Sequence, residues 1–425
     1  MVISWMLIKD PFSPICIVCE VFTVSSYFAT ISAELRDVDI SIGTVVYILI
    51  QLSIALILAT IMHRLSGRIT QVKQFERIEL IKYRYFLILI VICLLTVLYI
   101  VIFGRSILAS SGGGFAEKLY SFRQSTITGS SPVPAYVIYL TKGIYAFAYY
   151  SIFIYFHNRE ASRCTGVSVQ SDRLYLFSVL PLLVVALLSG GRAEIIYFIC
   201  AVLSYYSILR SKTLTKAIPI KNILRIAVYF LLTLFAFYQL SFLFGRGGKT
   251  LTSYLASYFG GSIIAFDQFL INPVPNSDVW GMELFYSIVH FLQKIGFVGG
   301  DIILVHLDYV YINGSAFTNV YTCFRAYVID AGLYSSFLIH LLFIYFYEKY
   351  YIRILKRDSI YDKVNMSIII YGLISYGVYL TFYSNYLFAL VLSIHTLIQI
   401  VLIIFYNWFT TSPDFKIRLN FKIRL

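Results

Sequence analysis

The residues best equipped for chemistry stand at the edges of apolar runs. Arg246 and Lys249 lie in Phe244-Gly-Arg-Gly-Gly-Lys249, and Arg192 lies in Ser189-Gly-Gly-Arg-Ala-Glu194. Glycines beside an arginine let backbone N–H groups approach an anion, and the guanidinium is a planar donor fork that matches phosphate oxygens. Such turns are equally simple helix exits with a snorkelling cation. No strand–loop–helix context surrounds them, which excludes a nucleotide loop. Asp267, His290, Asp301, His306, Asp308, Arg325 and Asp330 follow along the chain. Any of these acids and imidazoles could serve as a general base, and each is equally an ordinary polar group of a solvated cap. The spacing Asp301–His306–Asp308 allows a metal site but sits on a loop of unknown shape, so no metal is expected. The six cysteines form no metal-spaced cluster, and most sit in apolar segments, which argues against a disulfide framework.

The elements that must position these residues are membrane helices. Of 425 residues, 59% are hydrophobic and only 13% charged, with a mean hydropathy of +0.80. The interior of a water-soluble protein cannot hide that excess, so lipid must solvate much of the surface. Ten apolar runs are long enough to span: 12–32, 42–62, 83–103, 133–156, 173–190, 192–210, 221–244, 327–348, 364–382 and 386–408. Runs of this length in hydrocarbon must be helical. The first carries Glu20 and precedes another hydrophobic segment, so it does not read as a signal peptide. Loops on one side hold 24 of the 34 Lys and Arg and those on the other hold nine, with Lys142 left inside a span. The alternation is unbroken, which predicts that both termini are cytoplasmic. The net charge of +13 is therefore a topology signal rather than a nucleic-acid surface.

The expected fold class is an all-α polytopic membrane protein with about ten transmembrane helices, or twelve if 251–271 and 284–304 also cross. Polar and glycine residues in those two stretches favour interfacial or re-entrant helices instead. Four regions follow: a bundle over 1–244 (spans one to seven), an extracytoplasmic cap over 245–326, a bundle over 327–408 (spans eight to ten), and a basic cytoplasmic tail over 409–425. Glu20 and Lys142 fall near the middles of their spans with opposite sign, so pairing between them would cancel their burial cost. Arg192 and Glu194 could pair across their turn. His340 and His395 read as lone histidines satisfied by a backbone or tyrosine partner.

Three segments together resemble a known family. They are Leu188-Ser-Gly-Gly-Arg-Ala193, Ser257-Tyr-Phe-Gly-Gly-Ser-Ile-Ile-Ala-Phe-Asp267, and Thr318-Asn-Val-Tyr-Thr-Cys-Phe-Arg-Ala-Tyr-Val-Ile-Asp-Ala-Gly332. Their order resembles the Wzy-type O-antigen polymerases, or oligosaccharide repeat unit polymerases, and Lys9-Asp-Pro11 before the first span is in character. The family commonly has Pro after its Phe-Arg pair, where Ala326 stands here. The resemblance implies a GT-C-like glycosyltransferase of the bacterial cytoplasmic membrane, active on the outer face, with no cofactor and no metal. Donor and acceptor would be undecaprenyl-diphosphate-linked oligosaccharides, and a chain-length regulator is a conceivable partner; nucleic acid is not. Leaving-group charge would fall to Arg192, Arg246, Lys249 and Arg325, with Arg105 at the same level. His306, Asp267 or Asp301 would be the base, and Tyr321 and Tyr327 could stack on sugar rings or belong to the interfacial belt. An O-antigen ligase is the nearby alternative. A flippase or transporter is the alternative of another class, disfavoured by the lack of internal duplication.

Overall fold

The computed structural model describes residues 1–67, 74–78, 80, 83–109, 134–166, 170–188, 193–213, 238–239, 250–273, 279–299, 309–356, 360–361 and 363–411. A short helix α1 (Val2–Ile8) precedes α2 (Pro14–Glu34), α3 (Ile42–Ser66), α4 (Tyr83–Ala109) and α5 (Ala135–Thr165). Next come α6 (Leu174–Phe177), α7 (Val179–Leu188) and α8 (Ala193–Thr213). A broken helix then runs as α9 (Leu251–Leu255), a π-turn (Ala256–Gly260) and α10 (Gly261–Ile271). It is followed by α11 (Tyr286–Lys294), α12 (Cys323–Lys356), α13 (Met366–Ile374), α14 (Tyr376–Tyr379), a second π-turn (Leu387–Val391) and α15 (Ile394–Thr411). Among the described residues seven helices are long and apolar enough to cross a membrane: α2, α3, α4, α5, α8, α12 and α15. The chain is a helical, membrane-embedded protein. The expected span over 221–244 falls outside the described residues apart from 238–239.

Helix starts follow local capping chemistry. Ser13 caps α2 by accepting from the Cys16 amide, with Pro14 in the first turn, where a missing N–H costs nothing. Ser41 caps α3 through the Thr44 amide, and Asn365 caps α13 through the Ile368 amide. Several spans outrun the hydropathy windows; α5, for example, continues to Thr165 and stops where Gly166 adopts φ 76°.

The bundle has two distinct ends. At the basic end, Arg77 bonds Asp172 at 2.7 Å and Arg210 bonds Glu160 at 3.2 Å. There β1 (Gln74–Phe75) also pairs in parallel with β4 (Ile360–Tyr361). Below them His63 and the Ile15 amide both bind the buried Glu348, at 2.9 and 2.8 Å, while Tyr351 donates to Asp10 at 2.8 Å. At the opposite end a hairpin of β2 (Val310–Ile312) and β3 (Ser315–Thr318) carries Phe317, over which the Arg36 guanidinium lies at 4.1 Å. These pairings join only loops that the Lys and Arg alternation assigns to one side.

The expected Glu20–Lys142 pair does not form. Glu20 accepts from the Trp5 indole at 2.7 Å, whereas Lys142 bonds Glu194 at 3.0 Å. The reason is depth: Glu20 lies in the first turns of α2 and Lys142 in the first turns of α5, and those helices start from opposite ends of the bundle. The same pairing engages Glu194; Arg192, its other possible partner, lies outside the described residues. His340 finds neither backbone nor tyrosine; its Nδ1 meets the Gln51 amide oxygen at 3.2 Å.

Two features shape the end opposite the basic loops. The broken helix α9–α10 folds over the second half of α2, where Ser25 donates to the Phe259 carbonyl at 2.6 Å. A Cβ on Gly260 would lie 2.3 Å from the Phe28 oxygen, so only glycine permits this approach. Helix α12 is really two helices, because Gly332 adopts φ 81° and ψ 167°, a conformation essentially restricted to glycine. The segment before Gly332 is thereby freed from the axis of the long helix after it. The broken stretch α13–α14 leaves carbonyls inside the bundle, and tyrosines satisfy them. Tyr205, Tyr347 and Tyr350 donate to the oxygens of Ile369, Ile374 and Ser367 at 3.0, 2.7 and 3.0 Å.

Candidate functional site

The site grows from the first segment of α12. The Cys323 amide donates to the Thr381 carbonyl at 2.9 Å, which anchors the start of that segment. Arg325 on its first turn is 6% exposed, and its guanidinium lies over the rings of Tyr321 at 4.5 Å and Phe269 at 5.3 Å. Its Nη1 donates to Oε2 of Glu283 in an ion pair. Glu283 belongs to a tight turn made possible by Gly281 at φ 80° and closed by the Phe285 amide on the Gly281 carbonyl at 2.8 Å. Asp330, one and a half turns beyond Arg325, accepts from the amides of Glu283 and Leu284 at 3.1 and 2.5 Å. Asn385 holds the same turn from the other side, donating to the carbonyls of Leu284 at 3.0 Å and Glu283 at 3.4 Å.

The electrostatics follow from that frame. Burial pushes the Glu283 carboxyl above its ordinary value, the nearby Arg325 opposes the shift, and the charge of Asp330 adds to it. The Arg325 Nε is buried without a hydrogen-bond partner. A rigid guanidinium held by one exchangeable carboxylate, with a further N–H uncommitted, can bind an oxyanion by trading partners.

A second polar cluster shares the segment that carries Asn385. Tyr386, its neighbour in sequence, is edge-on to Tyr197 at 5.6 Å, and Tyr197 stacks on Tyr376 at 4.2 Å. Tyr197 lies one turn from Glu194, the partner of Lys142. The residues around 385–386 thus bridge an arginine–carboxylate pair and a lysine–carboxylate pair at the same end of the bundle.

The residues singled out from sequence divide as follows. Arg192, Arg246, Lys249, Asp301, His306 and Asp308 lie outside the described residues, and Arg105 is within α4 but its side chain is not described. Arg325 and Tyr321 come together. Tyr327 does not face an opening: it is 1% exposed, edge-on to Phe324 at 6.1 Å and Phe388 at 5.9 Å, and so packs the core. Asp267 is fully buried and caps α3, accepting through Oδ1 from the Ser41 amide at 3.0 Å, the Ser41 hydroxyl, and the Thr44 hydroxyl at 2.7 Å. A carboxylate committed to a helix N-terminus in this way is a structural acid first. Sequence reasoning named Asp330 only as one of several possible general bases and passed over Glu283 and Asn385. An acid one residue beyond a Gly-Met pair, inside an otherwise apolar stretch, was the available signal for Glu283. Among the described residues no group of three or more His, Cys, Asp or Glu could hold a metal ion. No protein-family model, no curated protein and no solved structure matches the chain.

Proposed function

We propose that the chain polymerises lipid-linked oligosaccharide repeat units into a surface polysaccharide. The transfer would take place on the outer face of a bacterial cytoplasmic membrane, within a GT-C-like bundle of ten to twelve spans with both termini inside. The observation that carries the reading is the Arg325–Glu283 pair, held by Asp330 and Asn385 at the end of the bundle away from the basic loops. Arg325 also stands inside the Thr318–Gly332 segment on which the family resemblance rests.

In this reading a hydroxyl of the acceptor sugar attacks the anomeric carbon of the donor, and lipid diphosphate departs. Arg325 exchanges Glu283 for the diphosphate as negative charge develops, with Arg192, Arg246 and Lys249 as further cations for the same task. Glu283, released and already raised above the usual carboxylate range, takes the proton of the attacking hydroxyl. Tyr321, under the guanidinium, keeps Arg325 in place during the exchange.

The test is glycan chain length in a host strain carrying Arg325→Ala, Arg325→Lys or Glu283→Gln. Arg325→Ala should abolish long chains and leave a single repeat on the lipid core, with normal membrane insertion. Arg325→Lys should retain little activity, since an ammonium cannot reproduce the fork. Normal chain lengths in Arg325→Ala would sink the site, and loss of even the single repeat would point to a ligase.

A further inference from the structure

Helix α11 (Tyr286–Lys294) has its polarity turned inside out. Its protein-facing side carries Tyr286, Val289, His290 and Gln293, with the His290 Nδ1 and Gln293 Oε1 atoms shielded from solvent. Its outward side carries Ile288, Phe291 and, just past its end, Ile295, at spacings of three and four residues; they are 39%, 41% and 52% exposed. A helix resting on a protein with water outside shows the reverse order.

The outward stripe does not stand alone. The Ser287 hydroxyl donates to the Ala389 carbonyl at 2.5 Å, and the Phe285 ring meets Phe388 edge-on at 5.7 Å. Helix α11 thus packs against the second π-turn, and the charge of Lys294 is felt at His395 just beyond it. Beyond the π-turn Leu392, Ile394 and Leu397 are exposed, as are Val401, Ile404 and Phe405 on the membrane-length helix α15. Exposed apolar residues therefore lie both on a spanning helix and on a nine-residue helix, too short to span, that packs against the π-turn leading into it. The Lys294 side chain, exposed at the end of the stripe, is placed to reach back to headgroup phosphates.

We infer that α11 is seated in the bilayer interface, with Ile288, Phe291 and Ile295 in the acyl region of the leaflet next to α15. Its partner is phospholipid. Lipid supplies the apolar surroundings that the outward face requires and holds the helix flat against the second π-turn. The turn bearing Glu283 ends where α11 begins, so lipid contact fixes the height of that turn at the membrane surface. This holds whatever reaction the chain performs.

Site-directed spin labelling in phospholipid nanodiscs tests it. Single cysteines replace Ile288, Phe291, Ile295 and Lys294 in turn, with Val401→Cys as the lipid-facing reference. Cys164, the only exposed cysteine among the described residues, is changed to Ser. Collision with oxygen should exceed collision with a water-soluble nickel chelate several-fold at 288, 291 and 295, as at 401, and the ratio should fall at 294. Equal nickel access at 291 and 294 would put the face in water and overturn the inference. Exclusion of both reagents at 291 would overturn it too, because protein, from this chain or a second copy, would then cover the stripe.

Discussion

At the scale of single residues, the Glu283 carboxyl makes a clear statement about pH. Its folded-state value is raised above the ordinary 4.5 by burial, with Arg325 opposing and Asp330 assisting. A raised carboxyl means that the folded state holds its proton more tightly than the unfolded chain does. Its contribution to stability is therefore fully present below about 4.5 and is lost as pH rises through the folded value. We expect thermal unfolding of detergent-solubilised protein to show wild type losing stability relative to Glu283→Gln across that window, and a constant difference above it. Wild type gaining stability relative to Glu283→Gln as pH rises would mean that Arg325 outweighs burial. Truncating Arg325 to Ala strands the acid and should cost roughly 2–5 kcal/mol, the range for removing one partner of a buried charge pair. Arg325 was legible in the sequence because it sits in a recognisable segment with a tyrosine on either side. Glu283 and Asn385 were not, since their meaning comes from being 42 and 102 residues away from the groups they bind. Nothing local marks such a pairing.

Among the elements, the broken helix α9–α10 depends on one missing methyl group. Gly260→Ala would place a Cβ 2.3–2.4 Å from the backbone of Phe28 and Ala29, and backbone cannot step aside as a side-chain tip can. We expect this variant to unseat the helix from α2 and lower the unfolding temperature sharply. Gly299→Ala, with nothing within 4 Å, should leave it unchanged. Equal behaviour of the two would show that the close approach is not needed. Most spans could be read from apolar runs alone, since the bilayer sets a minimum length that composition reveals. The breaks could not. Gly332 looks like any glycine in a helical run, and α13–α14 reads as one span because the tyrosines that satisfy its free carbonyls come from α8 and α12. Helix α1 escaped notice because seven residues are too few for a hydropathy window.

For the molecule as a whole, the division into a basic end and an opposite end rests on independent contacts, from β1–β4 to the Arg36–Phe317 pair. If the basic end is cytoplasmic, cysteines placed at 38 and 313 should react with an impermeant maleimide on intact spheroplasts, and those at 76 and 363 only after lysis. The reverse pattern would invert the orientation, and mixed labelling would break the two-ended arrangement. The contact between Glu348 and the Ile15 amide spans 333 residues of sequence. That amide is among the donors that a helix start cannot satisfy for itself. During synthesis the first membrane helix must therefore wait for α12 before its N-terminus is complete. A chain halted before residue 348 would carry a permanent defect at its beginning, one that quality-control proteases can recognise. Nascent chains stopped at about residue 320 should be degraded faster than chains stopped after 356, and equal lifetimes would show that the early helices complete themselves without α12.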